Sequence, residues 1–249
     1  PAMADSYIYT HSDKINRLRK NIVELVLTDY PEEKFNNDNP RNNELKKVAL
    51  EMGLDISDVR YEAGANHFDR AEDADHPYMR ANLDSCINCY RCIRACDEVQ
   101  GEMVLTMVGR GFDNIVTMGM NDGFMESDCV SCGACSQACP TGAITDVFDS
   151  KTNEATASTR TVCTYCGVGC NLDVATNEDE IVSITAPYDA EVNQGHTCLK
   201  GRYAFKFYNH SERLRSPMVR KNGELTAVSW DEAYDYITDK ITSIRSEFG

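Results

Sequence analysis

Four cysteines follow one another as Cys86-x2-Cys89-x2-Cys92-x3-Cys96, and four more as Cys129-x2-Cys132-x2-Cys135-x3-Cys139. The first three of each run place three thiolates within seven residues, close enough to grip three irons of one cubane. The fourth, expected at the start of a helix, points away. Where two such runs share a domain, the fourth cysteine ligates the cluster of the other run. The spacing therefore predicts one [4Fe–4S] cluster on Cys86, Cys89, Cys92 and Cys139, and a second on Cys96, Cys129, Cys132 and Cys135. Pro140 follows the last cysteine as this pattern requires, while Asp97 stands there in the first run. Zinc is the lesser alternative, because zinc ribbons use paired C-x2-C knuckles across a longer span.

A third group reads Cys163-x2-Cys166-x3-Cys170-x27-Cys198. Three ligands sit on one loop and the fourth returns after a small β excursion. Gly167 and Gly169 are expected to let the loop wrap closely, bringing main-chain N–H groups to sulfur. Alone, this spacing also suits zinc. Beside two cubane patterns it reads as a third [4Fe–4S] cluster, and all 12 cysteines are then used. His11, His67, His76, His196 and His210 have no metal spacing. Arg91 and Arg94, between ligands, read either as offsets to cluster charge or as solvated surface. Tyr165 reads as a shield for its cluster or as packing.

These ligands need elements to hold them. Each cysteine from Cys86 to Cys96 recurs 43 residues later, which marks a duplicated unit. Met103–Val108 and Asn114–Met118 read as short strands around the Gly109-Arg110-Gly111 turn. Upstream, Ile15, Leu18, Ile22, Leu25 and Val26 recur at helical steps behind a Ser12 or Asp13 cap. A second helix begins after Asn43 and stops at Gly53. Residues 149–160 read as a linker. Strands are expected at Leu172–Ala175 and Ile181–Ile184, and a helix from Ser229. Asp231 and Glu232 lie in its first turn, and Ala233, Ile237, Ile241 and Ile244 are its expected buried stripe. Trp230 is expected in the core. Nothing after that helix covers the stripe, so the chain reads as cut at Gly249.

At 249 residues the chain has room for one or two domains, and three cysteine groups argue for more. A net charge of −15 argues against nucleic-acid or anionic-membrane binding. No apolar run is long enough to span a bilayer. The start lacks an apolar leader core and a twin arginine, so a cytoplasmic location is expected, where cysteine clusters read as metal sites rather than disulfides.

Thr161–Asn171 (TVCTYCGVGCN), Cys198-Leu199-Lys200-Gly201, Arg213-Leu214, Pro217-Met218-Val219-Arg220, Gly223 and Val228-Ser229-Trp230-Asp231-Glu232-Ala233 together resemble the opening of the molybdopterin bis-guanine-dinucleotide (bis-MGD) oxidoreductases. The Tyr165–Cys170 wording looks most like formate dehydrogenase catalytic subunits. Residues 20–146 are similar to the iron–sulfur region of NAD-linked formate dehydrogenases and of the large iron–sulfur subunit of NADH:quinone oxidoreductase. That region often carries one more cluster, on H-x3-C-x2-C-x5-C. Here Tyr30, Lys34, Asn37 and Asn43 stand in those places, so that cluster is expected to be missing.

The resemblance implies an α+β chain. Residues 1–80 form a helical segment, 81–148 a two-cluster ferredoxin-like domain, 149–160 a linker, 161–215 a small β-rich [4Fe–4S] domain, and 216–249 the start of an α/β molybdopterin domain. It implies electron transfer through three clusters in a formate dehydrogenase that interconverts formate and CO2 at Mo- or W-bis-MGD. Lys200, two places after Cys198, matches the basic residue between cluster and pterin. No catalytic residue is carried over, because the family's lie downstream of residue 249. The partner implied is an NAD-, ferredoxin- or hydrogenase-linked electron-transfer subunit, with no membrane span. Two alternatives remain open. One is another molybdopterin oxidoreductase or the quinone-oxidoreductase subunit; the other is a free-standing polyferredoxin-type carrier.

Overall fold

The computed structural model describes residues 6–36, 43–60, 72–148, 154–178 and 180–249. The chain divides into two compact units, Pro1–Phe205 and Lys206–Gly249.

The first unit opens on α1 (Asp13–Thr28), whose Ser12 cap accepts from the Ile15 N–H at 3.2 Å. The short α2 (Glu32–Phe35) and α3 (Glu44–Glu51) follow. Leu27, Tyr30, Phe35, Leu45, Ala49 and Leu54 form their shared core. The inward face of α1 is the Leu27 face, whereas Leu18, Ile22 and Leu25 are exposed. Glu24 lies on the inward face because Arg60 reaches it with three hydrogen bonds, two of them at 2.6 Å. Arg60 accordingly holds the Glu24 carboxyl below its ordinary pKa.

Residues 79–146 carry the duplication. Strand β1 (Met79–Ala81) precedes the first cysteine run and pairs antiparallel with β4 (Ile144–Asp146), which follows the second. Between them β2 (Leu105–Val108) and β3 (Ile115–Met118) form a hairpin. Each cysteine run leads into a short helix, α4 (Arg91–Arg94) or α5 (Ala134–Ala138). The repeat is visible in the backbone. Asn88 and Tyr90 have φ of 52° and 65°, and 43 residues on Ser131 and Gly133 have 56° and 72°. These left-handed residues curl each run so that its sulfurs face inward.

The fourth cysteines differ from expectation. Helix α4 continues as a wide π turn over Ala95–Gln100, and Cys96 lies inside it, while Cys139 caps the end of α5. Neither begins a helix.

Beyond the repeat, β5 (Ala157–Val162), β6 (Asn171–Asn177) and β7 (Glu180–Thr185) form an antiparallel sheet in that order. Residues 157–160 are therefore strand rather than linker. Their Ser, Thr and Arg side chains mimic linker composition, but Arg160 ties the strand down through Asp173 at 2.8 Å and Asp189 at 3.1 Å. Residues 149–153 of that expected linker lie outside the described residues. The unit closes with α6 (Leu199–Tyr203), capped by Cys198.

The second unit holds α7 (Lys206–Asn209), a β8–β9 hairpin (Met218–Lys221, Glu224–Ala227) and α8 (Trp230–Phe248). Asn222 and Gly223 turn the hairpin at φ 52° and 92°. Ser229 caps α8 by accepting from the Glu232 N–H at 3.1 Å. The stripe is not buried: Ala233 is, but Ile237, Ile241 and Ile244 are exposed, and Trp230 is 64% exposed against Tyr234. Periodicity identified the helix, yet too little chain packs on it to cover that face.

Candidate metal centres

Two hollows lie within the repeat. One is lined by Cys86, Cys89, Cys92 and Cys139. The other is lined by Cys96, Cys129, Cys132 and Cys135. Three cysteines of each come from one run and the fourth from the other. The remaining walls are mainly apolar, Leu83, Val116 and Ile144 in the first, Met79, Leu105 and Phe124 in the second.

Burial sets the state of these thiols. Cys92 is pushed up to about 12 by loss of water, with Cys139, Cys86 and Cys89 adding repulsion. Cys135 is pushed well above its ordinary value by full burial, then by Cys132, Cys92, Cys129 and Cys96. The thiols that repel one another are thus those lining the same hollow, and Cys92 also repels Cys135 across the two. Thiolates crowded into apolar surroundings call for a cation among them, and iron supplies that charge. The donor set fits a cubane.

Main-chain donors recur with the repeat. The Arg91 N–H serves Cys89 and the Ala134 N–H serves Cys132, each pulling a burial-raised thiol back down. Ser131 N–H donates to Cys129 Sγ at 3.4 Å. Arg91 and Arg94 each answer a carboxylate, Glu44 at 2.6 Å and Glu98 at 3.1 Å.

The third group is more open. The Cys163 N–H donates to the Cys170 carbonyl at 2.8 Å, closing the loop, and Cys166 and Cys198 are exposed. Burial raises the Cys170 thiol, and Cys163, Cys166 and Cys198 raise it further, so these four sulfurs share one field. Gly169 takes φ 69°, as a tight loop needs. Gly167 has no neighbour that a side chain would meet, so only one of the two glycines is required here. Tyr165 ties the loop to α6, its hydroxyl donating to the Ala204 carbonyl at 2.5 Å. Lys200 is exposed on the first turn of α6.

Two of the four places where the resemblance puts another cluster, Tyr30 and Asn43, have structural roles. Tyr30 is buried and donates to the Thr141 carbonyl at 3.3 Å. Asn43 caps α3, accepting from the Lys46 N–H at 3.0 Å. Asn37 lies outside the described residues. His76 is buried, accepting the Tyr78 and Met79 N–H groups on Nδ1 and pairing with Ser131 through Nε2.

Sequence reasoning missed Arg202. It is 1% exposed, and its Nε donates to the Cys132 carbonyl at 2.9 Å. The available signal was its place one turn after Cys198, just past the Cys198–Gly201 motif.

Sulfur-lined hollows on a duplicated backbone, followed by a β-rich cysteine domain, define an α+β iron–sulfur protein. Three family patterns match in chain order. They are the NADH-quinone oxidoreductase subunit 3 ferredoxin-like domain over residues 76–145, the molybdopterin oxidoreductase Fe4S4 domain over 156–210, and molybdopterin oxidoreductase over 213–249. The chain belongs to the molybdopterin oxidoreductases, of which it carries the iron–sulfur region, and its iron–sulfur domains serve electron transfer.

It is 30% identical over 239 residues to an NADH-quinone oxidoreductase subunit of Rhizobium meliloti (strain 1021), covering 94% of this chain and 27% of that protein. It is 32% identical over 213 residues to a "Putative formate dehydrogenase" of Staphylococcus aureus (strain bovine RF122 / ET3-1), covering 70% of this chain and 22% of that protein. The chain thus spans about a quarter of the length of these curated relatives. Among solved structures, the NAD+-reducing [NiFe]-hydrogenase in the H2-reduced state matches at TM-score 0.46 and 21% identity, over 55% of this chain and 57% of that one. No helix among the described residues is long and apolar enough to cross a membrane.

Proposed function

We propose that this chain is the electron-conducting part of a formate dehydrogenase catalytic subunit, with three [4Fe–4S] clusters. The first is on Cys86, Cys89, Cys92 and Cys139, the second on Cys96, Cys129, Cys132 and Cys135, and the third on Cys163, Cys166, Cys170 and Cys198. The pair of four-sulfur hollows carries the reading. When bound, such clusters take up and release single electrons.

The chain's own residues hold and tune. The apolar walls keep water from Cys92, Cys135 and Cys139, the buried members of the first two sulfur sets. The Arg91, Ser131 and Ala134 N–H groups favour negative charge on sulfur. The exchanged fourth cysteines fix the two sites side by side, which favours rapid electron exchange between them. Lys200, beside Cys198, is the proposed relay toward Mo- or W-bis-MGD bound by the rest of the enzyme. There formate would be oxidised to CO2, or CO2 reduced. Electrons would pass to an NAD-, ferredoxin- or hydrogenase-linked partner subunit.

Two observations support the formate assignment: the Tyr165–Cys170 wording and the match to the Staphylococcus aureus relative. A second reading, an iron–sulfur subunit of an NADH:quinone oxidoreductase, is favoured by the ferredoxin-like pattern and the Rhizobium meliloti match. Anaerobic purification of the full-length enzyme separates them. We expect about twelve irons in this region and bleaching of the clusters on adding formate. Full iron with no response to formate selects the second reading.

A further inference from the structure

Removing an arginine from water is costly unless its charge is answered. Among the described residues, Arg202 is the only buried lysine or arginine. It lies four residues after Cys198 on α6, so the third cysteine group carries it. Its guanidinium reaches into the second. Nε donates to the Cys132 carbonyl at 2.9 Å and Nη2 donates to Gln137 Oε1 at 2.7 Å. Nη1 has no hydrogen-bond partner among the described residues and lies 3.9 Å from Asp146 Oδ2.

The carboxylate that could neutralise this charge is shared. Asp146 Oδ1 accepts the Ser136 hydroxyl at 2.6 Å and the Tyr203 phenol at 2.5 Å. Part of the arginine charge is therefore left to act on its surroundings, in a medium that screens it weakly. Cys132, whose main-chain carbonyl Arg202 holds, lies within reach of that charge. Burial pushes that thiol up, and the Ala134 N–H and the Arg202 charge pull it back. The first hollow has Arg91, which also pulls the Cys89 thiol down, but that arginine is only half-buried and is answered by a carboxylate of its own, Glu44 at 2.6 Å.

Reduction adds one negative charge to a cluster, and a fixed buried cation stabilises that state. We propose that Arg202 is a positioning residue that holds up the reduction potential of the cluster on Cys96, Cys129, Cys132 and Cys135, making it the preferred next stop for an electron leaving the Cys163 group. This deepens the three-cluster reading and rests on it.

The test is a potentiometric titration of the anaerobically purified full-length enzyme, followed by EPR, on native, Arg202→Gln and Asp146→Asn forms. Arg202→Gln should move one redox step to lower potential by at least tenfold in the reduction equilibrium, ~59 mV for one electron, leaving the other steps in place. Asp146→Asn should move the same step upward, because it removes the shared negative charge. An Arg202→Gln enzyme with full iron and no moved step overturns the proposal. If that variant fails to load iron, the Asp146→Asn enzyme decides, and an unmoved or lowered step overturns it equally. A native enzyme that holds zinc, or no iron, overturns the cluster reading itself and the proposal with it.

Discussion

Gly133 is a glycine because Arg202 stands where its side chain would go. A Cβ built at Gly133 would overlap Arg202 Cδ and the Tyr203 hydroxyl. Its counterpart in the first half of the repeat, Tyr90, has nearly the same left-handed backbone, φ 65° against 72°, and keeps a side chain. The backbone turn therefore tolerates a side chain, and it is the neighbouring helix α6 that forbids one at Gly133.

Gly133→Ala should therefore destabilise the first unit by about 1–3 kcal/mol through overpacking, with left-handed strain added. Tyr90→Gly should have a smaller effect. Thermal melting with iron content checks both, and equal effects would contradict the account of Gly133.

Cluster assembly should release protons, because burial raises the Cys92 and Cys135 thiols and so favours their neutral form. The sign follows from Cys92, raised from 9.0 to about 12, and from Cys135, raised in the same direction by full burial. A protonated Cys92 thiol is favoured in the metal-free fold until the pH nears about 12, so thiolate ligation must displace its proton. Iron and sulfide incorporation should increase as pH rises from about 7 toward 9.0. A reconstitution yield that falls across that range contradicts this.

Lys200 is exposed and holds none of the described packing together. Lys200→Ala should leave iron content and melting temperature unchanged. In the full-length enzyme it should slow formate-driven cluster reduction by about tenfold or more. Rapid-mixing absorbance at the cluster band measures this, and an unaltered rate removes Lys200 from the path.

The duplication was legible in the sequence because cysteine spacing is local: the 43-residue offset survives as matching left-handed residues at Asn88 and Ser131. Helix α1 was legible from its period and its Ser12 cap, but not which face turns inward, since Glu24 is buried only because Arg60 arrives from 36 residues away. Strand β5 was hidden by a polar composition that Arg160 makes workable through cross-strand carboxylates. The exposed Ile237, Ile241 and Ile244 show the limit of periodicity, which reports a helix without naming what covers it. Arg202 was invisible because an arginine just past the last cysteine reads as surface until the fold brings Cys132 and Gln137 to it.

Counting irons in paired cysteine variants addresses the central claim most directly. If the fourth cysteines are exchanged, Cys86 and Cys139 serve one cluster, and Cys86→Ser with Cys139→Ser leaves about eight irons of twelve. Cys135 and Cys139 then serve different clusters, and Cys135→Ser with Cys139→Ser leaves about four. The opposite pattern, four and then eight, would mean that each run closes its own cluster, contrary to the two hollows.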